Sequence, residues 1–518
     1  MLASKLPDAT KGLGAGAMDV EDGSGGVGGG KKVAGRWPGL VHFFFVLTVV
    51  MCALVYAPRF LSPTVPVDFL RPQRPSSSGR AAGGQLQGRG EDGGRGNVGR
   101  ALVLDNQVNS PCTSMGGHGI CCDRSDFNTD VCFMAGDVRT DAASLSFLLF
   151  PPQTPNGTAN ANANATVAEK EERVQPYTRK WEKHLMAKIH EVRLRAARPD
   201  EADAHRCDVR HDAPALVMTA GGYTGNLFHA FNDGFLPAWL TVQHLRRRVV
   251  LAVLEYNPWW AGTFRELVSG LSDRLVIDLL RDNRTHCFPG AIVGTRFHGI
   301  LSVEPARTRD NRTLVDFHDF LAGAYKDDKS TPEPEKQQPR RPRLGLYSRK
   351  GNRMIENEAA VARLAESVGF NVSILATANG APLSSEYAAV SACDVLVGVH
   401  GADLTKLLFL RPGHAALLQV APLGVPHVAR GCYEKATNMM GIHYEQYDAA
   451  ANESSLVRKY AADDVVLRDP EAATRERGWD LTAHVYLGGQ NVTLDLGRFG
   501  DVLKKLHSRA LRLPAAGP

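Results

Sequence analysis

The sequence has little that points to nucleic acid or zinc. Its formal net charge is only +5 over 518 residues, and it contains no RNA- or DNA-binding motif. The clustered cysteines Cys112, Cys121, Cys122 and Cys132 do not have a zinc-type spacing, so structural disulfides are predicted, with the pairing left open. No internal repeat is found. We therefore expect no nucleic-acid partner, and the 43% apolar content indicates a globular protein.

Formal charge is also missing from one long run near the N-terminus. Residues 39–57, GLVHFFFVLTVVMCALVYA, contain no charged side chain. As a helix they would extend about 28 Å, close to the roughly 30 Å hydrocarbon thickness of a bilayer. The run is too long for the core of a cleaved signal peptide and has no convincing cleavage site. It is predicted to be a transmembrane signal-anchor, with a buried core helix as the alternative.

The chain beyond this run has the features of a secretory lumen. Eight of the nine cysteines follow it, an even number, as expected in an oxidising compartment. All seven Asn-X-Ser/Thr sequons also follow it, namely Asn156, Asn164, Asn283, Asn311, Asn371, Asn452 and Asn491. These observations predict a glycoprotein that is a single-pass type II membrane protein, with a short cytosolic tail and a lumenal body.

Composition divides the chain further. Residues 1–38 are Gly-rich and read as a disordered cytosolic tail, and 58–100 have the composition of a lumenal stem. Folded sequence is expected from 101, with a low-complexity surface insertion at 152–175. A second break at 326–342 reads as a linker that separates two comparable halves, 101–325 and 343–518.

Short apolar strands alternate with helices in both halves. In the second half, strands are predicted at 344–348, 372–376, 394–399 and 415–420, with helices at 357–368, 384–391 and 403–410. In the first half, strands at 215–219 and 249–255 flank a helix around 228–244. Such βαβ alternation predicts an α/β fold with parallel sheets. The expected architecture is two Rossmann-like domains that face a cleft.

A candidate anion site lies in the second half. His400, Gly401, Ala402 and Thr405 stand where a buried strand meets a helix, the position at which open α/β sheets bind ligands. Free N–H groups at a helix N-terminus suit a diphosphate, although a plain glycine turn is the alternative. Arg349 and Arg353 follow a neighbouring strand and could neutralise a departing phosphate group, whereas a solvated basic turn is the competing interpretation.

A candidate acid–base site lies in the first half. The segment 221–233 combines a glycine turn with His229 and Asp233 at i and i+4, on one face of the following helix. Either side chain could deprotonate an acceptor hydroxyl. Tyr223 and Asn226 of the same turn are placed on the acceptor side. Helix capping and packing between the halves are the alternative roles.

Three segments in this order resemble glycosyltransferase family 61: 221–233, 348–357 and 393–413. The stretch ICCDRSDFNTDVC at 120–132 resembles the plant members that act on xylan. The resemblance implies a GT-B fold, a UDP-sugar donor and inversion at the anomeric carbon. It assigns 101–325 to the acceptor and 343–518 to the nucleotide sugar, and it adds Glu453 to the donor site. No Asp-X-Asp loop of a metal site is present, so no cofactor and no essential metal are expected.

These expectations combine into a function. The resemblance implies a Golgi enzyme that transfers arabinofuranose or xylose from a UDP-pentose to xylan of the plant cell wall, alone or with other wall-synthesis enzymes. Asp233 ranks above His229 as the base because an ionised carboxylate is ready to accept a proton. Alternatives are a glycoprotein-directed xylosyl- or GlcNAc-transferase and an inactive partner in a synthesis complex. Three positions depart from the family pattern: Ala230, Asp403 and Lys406.

Overall fold

Two β-sheets, one in each half of the chain, organise the protein. The computed structural model describes residues 104–152, 171–325, 341–376 and 382–513, all within one compact unit. The strands are β1 Gly119–Asp123, β2 Val131–Asp141, β3 Ser146–Phe150, β4 Glu172–Val174, β5 Val192–Ala196, β6 Val209–Arg210, β7 Ala215–Thr219, β8 Val250–Leu254, β9 Ile277–Asp278, β10 His286–Val293, β11 Arg343–Ser348, β12 Asn371–Ala376, β13 Val395–Val399, β14 Ala416–Ala421 and β15 His443–Asp448.

Helices connect most of these strands. The α-helices are α1 Lys183–Met186, α2 Leu227–His229, α3 Leu236–Val242, α4 Pro258–Thr263, α5 Arg265–Leu271, α6 Leu314–Tyr325, α7 Glu358–Val368, α8 Leu383–Ser391, α9 Pro426–Met439, α10 Val465–Arg468, α11 Pro470–Leu481 and α12 Leu496–Arg512. Two π-helices are Ala230–Phe235 and Thr482–Leu487. The 3₁₀ segments are Pro199–Glu201, Gln243–Leu245, Pro305–Arg307, Ala402–Phe409, Ala451–Glu453 and Ser455–Arg458.

The second half contains a five-stranded parallel sheet in the order β12-β11-β13-β14-β15. Its central strands are buried on both faces because their side chains are almost all apolar, as in Val395–Val399. The chain runs outward from β11 to β12 and then returns to β13 on the other side. This change of direction opens a crevice beyond the carboxyl ends of β11 and β13, where ligands bind in folds of this kind.

The first half contains a ten-stranded mixed sheet in the order β4-β5-β3-β2-β10-β7-β8-β9, with β1 on β2 and β6 on β10. Strands β10, β7, β8 and β9 are parallel, and the change of direction falls between β7 and β10. Strand β2 is antiparallel to β1, β3 and β10. The predicted α/β class with parallel sheets is confirmed, while this antiparallel part was not foreseen.

Helices of the two halves share one apolar core. Phe231 after α2 packs edge-on against Phe409 of the Ala402–Phe409 segment, with ring centroids 6.1 Å apart. Tyr325 of α6 lies 5.6 Å from the same ring. One cluster of buried side chains therefore continues from the first half into the second. Burial of this apolar surface holds the carboxyl ends of the two sheets close together.

Several local predictions are refined by the structure. The helix expected around 228–244 contains the π-helix Ala230–Phe235, and the helix expected at 403–410 is a 3₁₀ segment. Residues 172–174 of the expected insertion form the edge strand β4. The predicted tail, anchor at 39–57, stem and linker centre lie outside the described residues. Within the described part of the chain, no helix is long and apolar enough to cross a membrane.

The cysteines and sequons can be placed individually. Disulfides join Cys112 to Cys121, Cys122 to Cys132, and Cys207 to Cys287, as the disulfide prediction requires, while Cys393 and Cys432 are free thiols. Four sequon asparagines are exposed: Asn283, Asn311, Asn371 and Asn452. Asn491 is half-buried, and its Oδ1 accepts from the Met354 N–H at 3.1 Å. Asn156 and Asn164 lie outside the described residues.

Candidate active site

His229 and Asp233 are in direct contact at the carboxyl end of β7. His229 Nδ1 lies 2.6 Å from Asp233 Oδ2. The side chains of both residues are almost fully buried, with 6% and 1% exposed. Because a carboxylate accepts hydrogen bonds, Nδ1 carries the proton and Nε2 holds the lone pair of the neutral ring. The predicted pairing on one helical face is present, although across a π-helix rather than an α-helix.

Both carboxylate oxygens of Asp233 accept hydrogen bonds inside the protein. Its Oδ2 also accepts from Arg179 Nε at 3.0 Å, and its Oδ1 accepts from Asn232 Nδ2 at 2.6 Å. Burial by itself raises the pKa of this carboxyl, but His229 and Arg179 outweigh burial and lower it to about 2. A carboxylate with so low a pKa and with hydrogen bonds on both oxygens is a weak base.

His229 has the geometry that the base requires. No described residue forms a hydrogen bond with its Nε2, whereas Nδ1 lies 2.6 Å from Asp233 Oδ2 and 3.4 Å from Arg179 Nη2. The ring packs against Tyr223, with centroids 4.9 Å apart, and against Phe228 at 5.3 Å. Of the two side chains, His229 is the one that presents an unpaired ring nitrogen, while Asp233 orients its ring. This geometry favours His229 over Asp233 as the candidate base, and the identity of the base stays a prediction.

A group of buried residues that the sequence did not indicate surrounds the His229–Asp233 pair. Arg179 bridges Asp233 and Glu182, whose Oε2 is 3.0 Å from Arg179 Nη1. Glu182 also accepts from the Tyr223 hydroxyl at 2.5 Å, and the Tyr177 hydroxyl accepts from the Tyr223 N–H at 3.1 Å. These residues lie about fifty positions upstream in an irregular segment, so no periodicity or motif could have indicated them. Their ion pairs fix the aromatic wall beside His229.

The candidate anion site contains buried polar atoms without partners. Both ring nitrogens of His400, and Nε and Nη1 of Arg353, are buried and make no hydrogen bond within the described structure. Burial lowers the pKa of His400 to about 3, helped by Arg353 and Arg349, so the ring is neutral at physiological pH. Burial also lowers the pKa of Arg353 to about 10, with Arg349 contributing. Buried unpaired donors are costly, and an anionic ligand would satisfy them.

Arg349 lies against the glycine of the His400 loop. A Cβ at Gly401 would overlap the Arg349 guanidinium, so only glycine permits this approach. Arg349 Nη1 lies 3.3 Å from Asp403 Oδ2, and Asp403 Oδ1 lies 3.2 Å from Lys406 Nζ. Lys406 also pairs with Glu386. Two of the residues that depart from the family pattern, Asp403 and Lys406, therefore form an ion pair with each other.

Tyr433 of α9 connects the two clusters. Its hydroxyl donates to the Gly401 carbonyl at 2.7 Å and lies 3.4 Å from Thr405 Oγ1. Its ring centroid is 5.9 Å from that of His400 and 6.0 Å from that of Phe228, the neighbour of His229. Tyr433 therefore contacts His400 of one cluster and Phe228, the neighbour of His229, in the other.

Similarity to known proteins places this arrangement in a family. The model of the family Glycosyltransferase 61 matches residues 227–417. A xylan glycosyltransferase of Arabidopsis thaliana is 36% identical over 423 residues, which cover 79% of this chain and 83% of that protein. A β-1,2-xylosyltransferase of Oryza sativa subsp. japonica is 37% identical over 394 residues, covering 74% and 83% of the two chains. The chain belongs to glycosyltransferase family 61. The predicted family and the glycosyltransferase class are confirmed.

A third similar protein is named for a different sugar, arabinose instead of xylose. An α-1,3-arabinosyltransferase of Oryza sativa subsp. japonica is 32% identical over 385 residues, covering 74% of this chain and 64% of that protein. The family match begins at Leu227, immediately before His229, and ends inside β14. It therefore contains the His229–Asp233 pair and the whole Arg349, Arg353 and His400 cluster.

Two predicted site residues of this family 61 chain make structural contacts. Glu453 is buried, and its carboxylate accepts from the Asp495 N–H at 2.7 Å, the Ala450 N–H at 2.8 Å and Arg498 Nη1 at 2.6 Å, as well as from Tyr447. These contacts give Glu453 a structural role, and its assignment to the donor site stays a prediction. Asn226 caps α2, since its Oδ1 accepts from the Phe228 N–H at 2.9 Å.

Among the described residues, no group of three or more His, Cys, Asp or Glu side chains is arranged to hold an ion. The expectation of catalysis without an essential metal stays a prediction.

Proposed function

We propose that this family 61 enzyme transfers a pentose, arabinofuranose or xylose, from a UDP-sugar to xylan or its side chains with inversion. The observation that carries the proposal is the meeting of two unlike clusters at Tyr433. One holds a base with a free Nε2, and the other holds buried cations and a neutral histidine without partners. A base facing an anion site is the arrangement that a displacement with a diphosphate leaving group needs.

The donor is assigned to the second cluster. Arg349 and Arg353 follow β11, and His400 follows β13, at the crevice between the two strands. Two guanidinium groups would neutralise the charge that develops on UDP as the glycosidic bond breaks. Because these cations supply that charge, no essential metal is proposed. The two sheets are then the halves of a GT-B enzyme.

The acceptor is assigned to the first cluster. His229 Nε2 would take the proton from the attacking hydroxyl while Asp233 stabilises the imidazolium that forms. Inversion requires attack from the face opposite the leaving group, which agrees with a base and an anion site from different halves. The names of the relatives in Arabidopsis and rice support a pentose and xylan. We place the enzyme in the Golgi membrane as a type II protein with a lumenal catalytic body.

The direct test is a donor and acceptor panel. The enzyme would be incubated with UDP-xylose, UDP-arabinofuranose and UDP-GlcNAc against xylo-oligosaccharides, with EDTA in a parallel set, and the products identified by mass and linkage analysis. A pentosylated xylo-oligosaccharide in both sets is expected. Activity lost in EDTA and restored by Mn²⁺ would contradict the metal-free assignment. Transfer only from UDP-GlcNAc would overturn the proposed sugar.

A second candidate acceptor is a glycoprotein. A protein O-linked-mannose β-1,4-N-acetylglucosaminyltransferase of Takifugu rubripes is 26% identical over 242 residues, covering 42% of this chain. Its similarity is lower and shorter than that of the xylan-named relatives, so the polysaccharide is preferred. Adding an O-mannosylated peptide to the same panel distinguishes the two.

A further inference from the structure

An open pocket of about 560 Å³ lies beside the His229 cluster and has no part in the mechanism above. Its walls include the aromatic rings of Phe127 and Trp181, whose planes are 13° from parallel with centroids 6.2 Å apart. Phe127 is 70% exposed, which is unusual for so large an apolar side chain. An exposed, nearly parallel aromatic pair offers a flat apolar surface with polar groups around it.

The loop that carries Phe127 is held rigidly. It joins β1 to β2, and the Cys122–Cys132 disulfide closes it at its base. Inside the loop, the Asn128 N–H donates to Asp126 Oδ1 at 2.8 Å, and the Asn128 carbonyl accepts from the Lys180 N–H at 3.0 Å. A fixed loop that exposes an aromatic ring has already lost the conformational entropy that ligand binding would otherwise cost.

Part of the pocket lining belongs to the segment that supports the base. Arg179 contacts Asp233 at 3.0 Å, while the adjacent Lys180 and Trp181 line the pocket. The Arg179 guanidinium carbon lies 5.7 Å from the centre of the Trp181 ring. One short stretch of chain therefore separates the pocket from the acid–base pair, and a long acceptor seated at His229 could continue into it.

The charges of the pocket indicate a neutral ligand. Arg124 pairs with Asp130 at 2.7 Å and with Glu172 at 2.8 Å. Lys180 also pairs with Asp130, at 2.9 Å. Arg173 pairs with Glu171 and Glu191. Because each cation already has a carboxylate, an anionic ligand would gain little, while a polyol can hydrogen-bond to both signs of charge.

We propose that this pocket, defined by Phe127, Trp181, Arg124, Lys180, Asp130 and Arg173, binds an unsubstituted part of the acceptor backbone, several xylose units from the sugar that is glycosylated. The C–H faces of the pyranose rings stack on the two aromatic rings, and the charged rim binds the hydroxyl groups. The subsite rests on the proposed xylan acceptor and adds a preference for long chains.

The test compares two acceptor lengths in the full-length enzyme. Phe127→Ala should raise the KM for xylohexaose about tenfold, the value expected for loss of one aromatic contact of about 1.4 kcal/mol. The KM for xylobiose, the donor KM and kcat should stay unchanged, and Phe127→Trp should restore the wild-type KM. The matched control is Trp259→Ala, because Trp259 is 54% exposed and does not line the pocket.

Calorimetry of xylohexaose binding without donor separates this subsite from the proposed function. Normal transfer to xylohexaose with an unchanged KM in Phe127→Ala would overturn the subsite and leave the proposed function intact. An equal rise in KM for xylobiose would also overturn it, since the ring would then contact the reacting sugar. A third outcome would separate the two proposals. If wild type binds xylohexaose and Phe127→Ala binds it more weakly, but neither transfers a pentose, then the subsite is supported and the proposed function is wrong.

Discussion

The two clusters that meet at Tyr433 differ in how many of their buried polar atoms already have hydrogen-bond or ion-pair partners. In the first, Asp233 accepts hydrogen bonds on both oxygens, and Arg179 has two carboxylate partners. In the second, His400 has none, and Arg353 has two buried nitrogens without a partner in the described structure. Apart from His229 Nε2, the polar atoms of the first cluster are paired without substrate, whereas the second has buried donors that an anionic ligand would satisfy.

This difference separates two ways in which a protein prepares catalysis. A base must be held in one tautomer and direction before the acceptor arrives, and the network around Asp233 does this. An anion site must leave its donors free, and it accepts a cost in stability for doing so. The backbone of Arg353 is consistent with such a cost, because its φ of 54° is disfavoured for a residue with a Cβ.

The largest effect is expected from removal of the base. His229→Ala should lower kcat by roughly 10²–10⁴, the usual contribution of general-base catalysis, because no other described side chain replaces Nε2. Affinity for UDP, measured by calorimetry, should stay at the wild-type value, since the anion site is in the other cluster. Normal turnover with a weaker Kd for UDP would reverse the roles assigned to the two clusters.

Within the anion site, the arginines are expected to be unequal. Arg353→Ala should lower kcat/KM for the donor by roughly 10²-fold, as for the loss of one transition-state donor. Arg349→Ala should cost less, because the charge of Arg349 is partly compensated by Asp403 at 3.3 Å. Steady-state kinetics with varied donor concentration decide the order. The control Arg458→Ala removes an exposed arginine that pairs with Glu356 outside both clusters. The opposite ranking would show that Asp403 does not compensate Arg349.

The effect of the first cluster on the pKa of Asp233 can be tested through the pH dependence of the unfolding free energy. The folded pKa of Asp233, about 2, lies below the ordinary value of 3.8. Its contribution is therefore fully present above about pH 4 and is lost as pH falls toward 2. A shift of this size corresponds to about 2 kcal/mol of unfolding free energy. Urea unfolding at pH 5 and pH 2.5 should show a smaller pH-dependent loss in Asp233→Asn than in wild type. Parallel curves for the two proteins would mean that the cluster does not lower this pKa.

The smallest effect is expected from Asp403, which departs from the family pattern and pairs with both Arg349 and Lys406. Asp403→Asn removes the carboxylate next to Arg349, while Lys406 keeps its pairing with Glu386. UDP should then bind about fivefold more tightly, since a surface or half-buried ion pair contributes about 1 kcal/mol. Calorimetry at two ionic strengths checks this, with Asp394→Asn, on the far end of β13, as the matched acidic control. Weaker binding would instead indicate that Asp403 contacts the donor sugar.

The fold of the second half was largely predictable because its strands are short, continuous and apolar. The predicted strand at 215–219 and the strands β11 to β14 are found within one or two residues of their expected bounds. The antiparallel strands of the first half were not, because β1 and β2 pair through cysteines and mixed side chains without a clear period of two. Such pairing depends on contacts distant in sequence.

The residues of the candidate site could be proposed from the sequence where polar side chains are concentrated in short motifs. His229, Asp233, Arg349, Arg353 and His400 were identified from their positions after strands. Their division of roles could not be read from the sequence, since the pKa of Asp233 depends on Arg179, which stands far upstream. The structural contacts of Glu453 could not be predicted for the same reason, because its partners Tyr447, Asp495 and Arg498 are brought to it only by the fold.

The distribution of disulfides has a practical consequence for anyone who produces this enzyme. The three described disulfides all lie before residue 288, and the described thiols after it, Cys393 and Cys432, are unpaired. Expression in a reducing bacterial cytosol would leave the sheet of the second half able to form while the loop of Phe127 stays open. Such a preparation could bind UDP normally and still fail on a long acceptor. Inactivity of a recombinant sample would then result from missing disulfides and not from its acceptor specificity.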